Sequence, residues 1–279
     1  MTASSTSAAF ASAKAEGRAA LVGYLPAGFP DVDGAIEALK AMVEAGCDVI
    51  EIGLPYSDPV MDGPVIQAAA QQALDGGVRI KDVLRTVEAV AATGTPTLVM
   101  TYWNPVEAYG REAGRRNGHR GVERFARDLA SAGGAGLITP DITPDYAEAW
   151  IAAADAHDLD KVFLVSPSST DERIAMTTAA SRGFVYATGV MGVTGGKQAT
   201  ADVVGPLIAR TKATTSLPVG VGVGVSTGAQ AAELGKLADG VIVGTAFVRT
   251  LLSNGADRSA GLGALRALTE ELAAGVRGR

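Results

Sequence analysis

"EAGCDVIEIGLPYSDPVMDGP", residues 44–64, holds the reading that decides the fold. A helical pattern stops at Gly46, and a β-rich run, "DVIEI" (48–52), begins almost at once. A loop stiffened by Pro55, Pro59 and Pro64 follows. The same joint returns twice, in "SAGGAGLITP" (131–140) and "GKLADGVIVG" (235–244), where Gly or Asp again ends a helix just before a strand. Such helix-to-strand joints belong to alternating β and α units, whose strands lie parallel.

Working outward, eight runs read as strands: 20–25, 48–52, 96–102, 135–139, 161–165, 184–187, 218–223 and 240–244. Amphipathic stretches lie between them. Ile36, Leu39, Met42 and Val43 share a face after an Asp31 or Asp33 cap, and Phe125, Leu129 and Ala132 do so before the fourth strand. Eight strands alternating with helices predict an α/β chain folded as a parallel (β/α)8 TIM barrel. An open doubly wound sheet is the runner-up. The barrel is expected over 19–279 as one domain, after an Ala/Ser-rich N-terminal extension, 1–18, that is partly frayed or helical.

The bulk properties agree with one large core. The chain has 279 residues, 47% of them hydrophobic, and a formal charge of −6, which argues against an electrostatic nucleic-acid surface. Cys47 is the only cysteine, so no internal disulfide forms and a reducing cytoplasm is expected. No apolar run reaches the roughly 18 residues of a membrane span, and no secretory signal is read at the start.

Period-two alternation puts Glu51 with Val49 on one face of the second strand and Ile50 with Ile52 on the other. If the isoleucines pack on helices, Glu51 points into the barrel near the C-terminal strand ends, where barrel active sites lie. A carboxylate there is either catalytic or satisfied by a buried cation. Asp58 and Asp62 follow in the loop; Asp62, before Gly-Pro, reads on its own as a turn or cap residue.

Other chemistries fail on residue counts. The only histidines are His119, in a Gly/Arg-rich loop, and His157, on a polar helix end, so neither a His-based triad nor a His-metal site is expected. "VMGVTGGKQ" lacks the first P-loop glycine, with Met191 in its place, and has Gln198 where Ser or Thr is needed. "GVGVGVSTG" offers Gly222 and Gly224 but has Thr227 where a dinucleotide fingerprint needs its third glycine. Lys161 opens the fifth strand on the wrong face for a Schiff base. A phosphate grip is better supported: "GVTGG" (192–196), "GVS" (224–226) and "GTAF" (244–247) follow the sixth, seventh and eighth strands. Glycines let backbone N–H groups approach an anion, and barrels often bind phosphate after their last strands.

At this point the chain resembles the α subunit of tryptophan synthase. "EIGLPYSDPVMDGP", "YLPAGFP", "GLITPDITPDY", "GVTGG" and "GVGVS" carry the likeness in order from about residue 19 to 250. The second-strand motif is the specific one. The resemblance implies a lyase of the tryptophan synthase type, grouped with carbon–oxygen lyases. Its α reaction is a C–C retro-aldol cleavage of indole-3-glycerol phosphate to indole and glyceraldehyde 3-phosphate.

It further implies Glu51 and Asp62 as catalytic residues. Tyr24, Tyr186, Gly195, Val223, Gly224, Gly244 and Thr245 are implied around the substrate. No cofactor or metal is expected on this chain. A β partner carrying pyridoxal phosphate is expected, in an α2β2 tetramer and in the cytoplasm, with no nucleic acid or membrane. The alternatives are a stand-alone indole-3-glycerol phosphate lyase, or another phosphate-binding barrel such as an isomerase or prenyltransferase. Three departures from the family pattern stand out: Val223 where Phe is frequent, Tyr56 for Phe, and a longer basic segment over 109–125.

Overall fold

The computed structural model describes residues 4–110, 119–189 and 201–278. Nine parallel strands make one sheet: β1 Ala20–Pro26, β2 Val49–Gly53, β3 Thr97–Met100, β4 Gly136–Ile138, β5 Asp160–Val162, β6 Leu164–Val165, β7 Val185–Thr188, β8 Val219–Gly222 and β9 Gly240–Val243. They lie in the order β5-β4-β3-β2-β1-β9-β8-β7-β6. The two ends of that order, β5 and β6, are separated in the chain by Phe163 alone. They are two segments of one strand, so the sheet closes on itself and the (β/α)8 barrel stands. The Val162 carbonyl accepts from Thr139 N–H toward β4, and the Phe163 carbonyl accepts from Tyr186 N–H toward β7.

The helices are α1 Ser5–Ala15, α2 Val32–Glu44, α3 Pro64–Asp75, α4 Ile80–Ala91, α5 Trp103–Glu107, α6 His119–Ser131, α7 Glu148–Ala156, α8 Asp171–Ala180, α9 Ala201–Lys212, α10 Gly228–Gly235, α11 Thr245–Asn254 and α12 Arg258–Val276. Of the two candidate caps for α2, Asp31 is the one used: its side chain accepts from Gly34 N–H. The basic segment over 109–125 passes into helix at His119. Gly121 permits this, because a Cβ there would lie 2.4 Å from the Glu107 carbonyl oxygen of α5. Val122, Phe125, Ala126 and Leu129 then turn into the core. Arg111, Arg115 and Arg116 lie outside the described residues.

Two apolar layers follow from strand alternation. Ile50 and Ile52 belong to the layer between sheet and helices, whereas Val49 joins Ala20, Val22, Leu98, Ile138, Val162 and Ile242 inside the barrel. The inner layer is closed from below by α1. Its Phe10 is buried and stacks on Phe184 with ring centroids 5.1 Å apart. The ring fits because residue 240 is glycine; a Cβ there would come within 2.6 Å of it. Burying one aromatic side chain this fully contributes several kcal/mol, on the order of 3–5 by truncation. The interior below is therefore packed and mostly apolar, Asp160 of β5 being the buried carboxyl there, while Glu51 sits in the tier above.

Candidate active site

Glu51 stands one inward position above Val49, paired with Tyr24 of β1 on one side and Leu98 of β3 on the other. It is 1% exposed, and its Oε2 has no hydrogen-bond partner among the described residues. Burial, aided by the charge of Asp62, pushes its carboxyl up to about 8. Among the described residues Glu51 makes no ion pair.

Asp62 comes from the loop after β2, just before α3. Its Oδ2 accepts from the Tyr102 hydroxyl at 3.2 Å, and that hydroxyl accepts from Met61 N–H at 2.9 Å. Burial raises the Asp62 carboxyl, and the Tyr102 hydrogen bond opposes the rise. Tyr102 in turn packs on Tyr56, with centroids 5.2 Å apart, while Asn104 donates to the Tyr56 hydroxyl. Tyr56, one of the departures noted above, thus helps hold the clamp on Asp62. Tyr102 was missed from sequence because "VMTYWNP" offers no spacing signal; only the fold carries it across to the β2 loop.

Two tyrosines occupy the same inward tier. Tyr24 of β1 and Tyr186 of β7 are both raised far above the ordinary phenol value, first by burial and then by the Asp62 and Glu51 charges. Both stay protonated. Each ring depends on a glycine on the next strand: a Cβ at Gly53 would lie 2.2 Å from Tyr24 Oη, and one at Gly222 would lie 2.3 Å from Tyr186 Oη. The register explains the repeat. Tyr24 faces Glu51 and Tyr186 faces Gly220, so in both cases the glycine is two residues beyond the partner.

On the β8–β9 side, Gly224 has φ +77°, a conformation that favours glycine. Gly244 is the N-cap of α11 and makes no side-chain cap, so the first N–H groups of that helix, beginning with Thr245, are left for another acceptor. Gly195 lies outside the described residues. Val223 is buried beside Gly189, whose added Cβ would meet it at 2.1 Å. A Cβ at Gly189 would also lie 2.8 Å from Val204 of α9. His157 meets Glu123 at the outside of the barrel, and Lys161 pairs with Asp155, so neither joins the site. No cluster of three or more potential metal ligands occurs among the described residues.

The family described as tryptophan synthase alpha chain matches residues 10–277. The chain belongs to that family. It is 60% identical to the tryptophan synthase alpha chain of Salinispora tropica over 269 residues, covering 96% of each. It is 56% identical to that of Mycobacterium ulcerans over 270 residues, covering 97% of this chain and 94% of the other. A solved structure of Mycobacterium tuberculosis tryptophan synthase superposes with a TM-score of 0.89 at 54% identity, covering 99% of both chains. Membership of the tryptophan synthase alpha chain family makes the protein an enzyme of the lyase type. Among the described residues no helix is long and apolar enough to cross a membrane.

Proposed function

We propose that the chain cleaves indole-3-glycerol phosphate by a retro-aldol step, a C–C lyase reaction, giving indole and glyceraldehyde 3-phosphate for tryptophan synthesis. The observation that carries this is the pair of carboxyls with different surroundings: Glu51 buried with an orphan oxygen, and Asp62 half-buried and clamped by Tyr102. Near neutral pH, Glu51 with its carboxyl pushed up to about 8 holds a proton. It gives that proton to C3 of the indole ring, forming a cationic indolenine. Asp62 accepts from the ring N–H and stabilises the cation. The resulting Glu51 carboxylate takes the proton of the carbinol next to the ring. As its C=O forms, the C–C bond breaks, and the electron pair returns to the ring as indole. Glu51 ends protonated, ready for the next cycle.

The phosphate is held at Gly224, Gly244 and the N-terminus of α11 at Thr245, with Gly195 contributing from the loop after β7. Tyr24, Tyr186 and Val223 line the ring side. No cofactor is needed on this chain; pyridoxal phosphate belongs to a β partner in an α2β2 assembly working in the cytoplasm. The partner docks on the loop face at 55–62, 104–110 and 190–200, and its binding raises turnover. Val60, 73% exposed in the first of these loops, is an apolar group that such docking would cover.

The test is product analysis with indole-3-glycerol phosphate, with and without a cognate β chain. Formation of both products, abolished or strongly slowed in Asp62→Asn, supports the reading. Absence of indole from the wild-type chain in both arms rejects it.

A further inference from the structure

We propose that the Tyr24 hydroxyl donates a hydrogen bond to the carbinol oxygen that gives its proton to Glu51, which makes Tyr24 a further catalytic residue. This rests on the retro-aldol reading above. Tyr24 stands directly opposite Glu51 in the β1–β2 ladder. Its ring is fixed from both neighbouring strands. Gly53 of β2 leaves room for Oη, where a Cβ would come to 2.2 Å, and Gly244 after β9 leaves room for the ring edge, where a Cβ would come within 3.0 Å of Cδ1.

The residue is 8% exposed, and its hydroxyl makes no hydrogen bond among the described residues. Glu51 Oε2 beside it lacks a partner as well. The orphan Glu51 oxygen carries a desolvation penalty that an occupant of the site can relieve, and the phenol across the ladder has a donor to offer the same occupant. The occupant they fit bears an alcohol, donating to the carboxylate and accepting from the phenol. Burial and the two neighbouring carboxyls keep the phenol protonated, so it acts as donor and not as base.

The chemistry follows from that arrangement. When Glu51 removes the carbinol proton, negative charge grows on the oxygen until the C–C bond breaks and the carbonyl forms. A fixed O–H donor stabilises that charge where it develops. Tyr24 neither gains nor loses a proton in the step. A phenylalanine would fill the same slot without the oxygen, so the tyrosine adds one atom, and that atom is what the test removes.

The experiment compares wild-type protein with Tyr24→Phe under saturating indole-3-glycerol phosphate, alongside the affinity of each for glycerol 3-phosphate. Loss of one donor to a developing oxyanion is expected to lower kcat at least about tenfold. Affinity for glycerol 3-phosphate, whose anion is gripped by backbone groups elsewhere, should stay within about twofold, as should the thermal midpoint within a degree or so. A smaller fall in kcat overturns the assignment. So does a fall matched by an equal loss of glycerol 3-phosphate affinity, which marks general damage. A wild-type chain that makes no indole removes the retro-aldol reading and this proposal together, whereas an active wild type with an unaffected Tyr24→Phe removes only the role of Tyr24.

Discussion

Replacing Glu51 by Gln should stop turnover and at the same time make the protein more stable, and the gain should depend on pH. Burial and the Asp62 charge push the folded carboxyl up to about 8, against an ordinary value of 4.5. Between those values the folded state keeps its proton while the unfolded chain has lost it, so unfolding releases a proton. Stability from the protonated Glu51 is fully present below about 4.5 and is lost as pH rises through about 8. The slope is about 1.4 kcal/mol per pH unit, flattening as the folded carboxyl itself ionises. Summed from pH 6 to pH 8, the loss is about 2 kcal/mol.

Gln cannot ionise, so it escapes that loss while keeping the size and a hydrogen-bonding head. Urea unfolding of wild type and Glu51→Gln at pH 6 and pH 8 should therefore show the variant's advantage growing by about 2 kcal/mol. In parallel, the single-turnover rate of the saturated variant should fall by roughly 10² to 10⁴. A stability difference that is the same at both pH values refutes the argument that Glu51 is held protonated by its surroundings. Near-wild-type cleavage by the variant refutes its role as proton shuttle.

Two further outcomes follow from the packing. Gly222→Ala puts a Cβ 2.3 Å from Tyr186 Oη, so the ring must leave its slot; kcat should drop at least about tenfold with a modest stability loss of 1–3 kcal/mol, measured by steady-state assay and denaturant unfolding. Phe10→Ala empties the floor under Phe184 and should cost about 3–5 kcal/mol of stability, while the retro-aldol rate at low temperature, measured well below the lowered midpoint, changes little.

The barrel was legible in the sequence because its strands are short, β-branched and bounded by helix-ending Gly or Asp, as at Gly46 and Asp239. Period-two alternation alone sent Glu51 inward, and the ladder with Val49 below it agrees. The break at Phe163 was not legible. A run such as "KVFLV" carries no mark of where its hydrogen bonds pass from one neighbour to the other. The partners of the carboxylates were hidden for a related reason. Tyr102 meets Asp62 across 40 positions of chain, and Gly53 and Gly222 matter only through a diagonal relation to the adjacent strand. Register, not local pattern, creates those contacts. The helix start at His119 was obscured by the basic, glycine-containing segment before it, whose composition reads as loop. The role of α1 was equally hidden, since an Ala/Ser-rich stretch announces neither a buried face nor the aromatic that fills it.

The Phe10 stopper under the sheet also governs traffic. With the lower interior filled by aromatic and aliphatic side chains, the chamber at Glu51 is a cul-de-sac. Access to Glu51 is then from the C-terminal strand ends, the side from which the Asp62 loop comes. The helix at the far end, which touches none of the chemistry, thereby fixes the direction from which the site is approached.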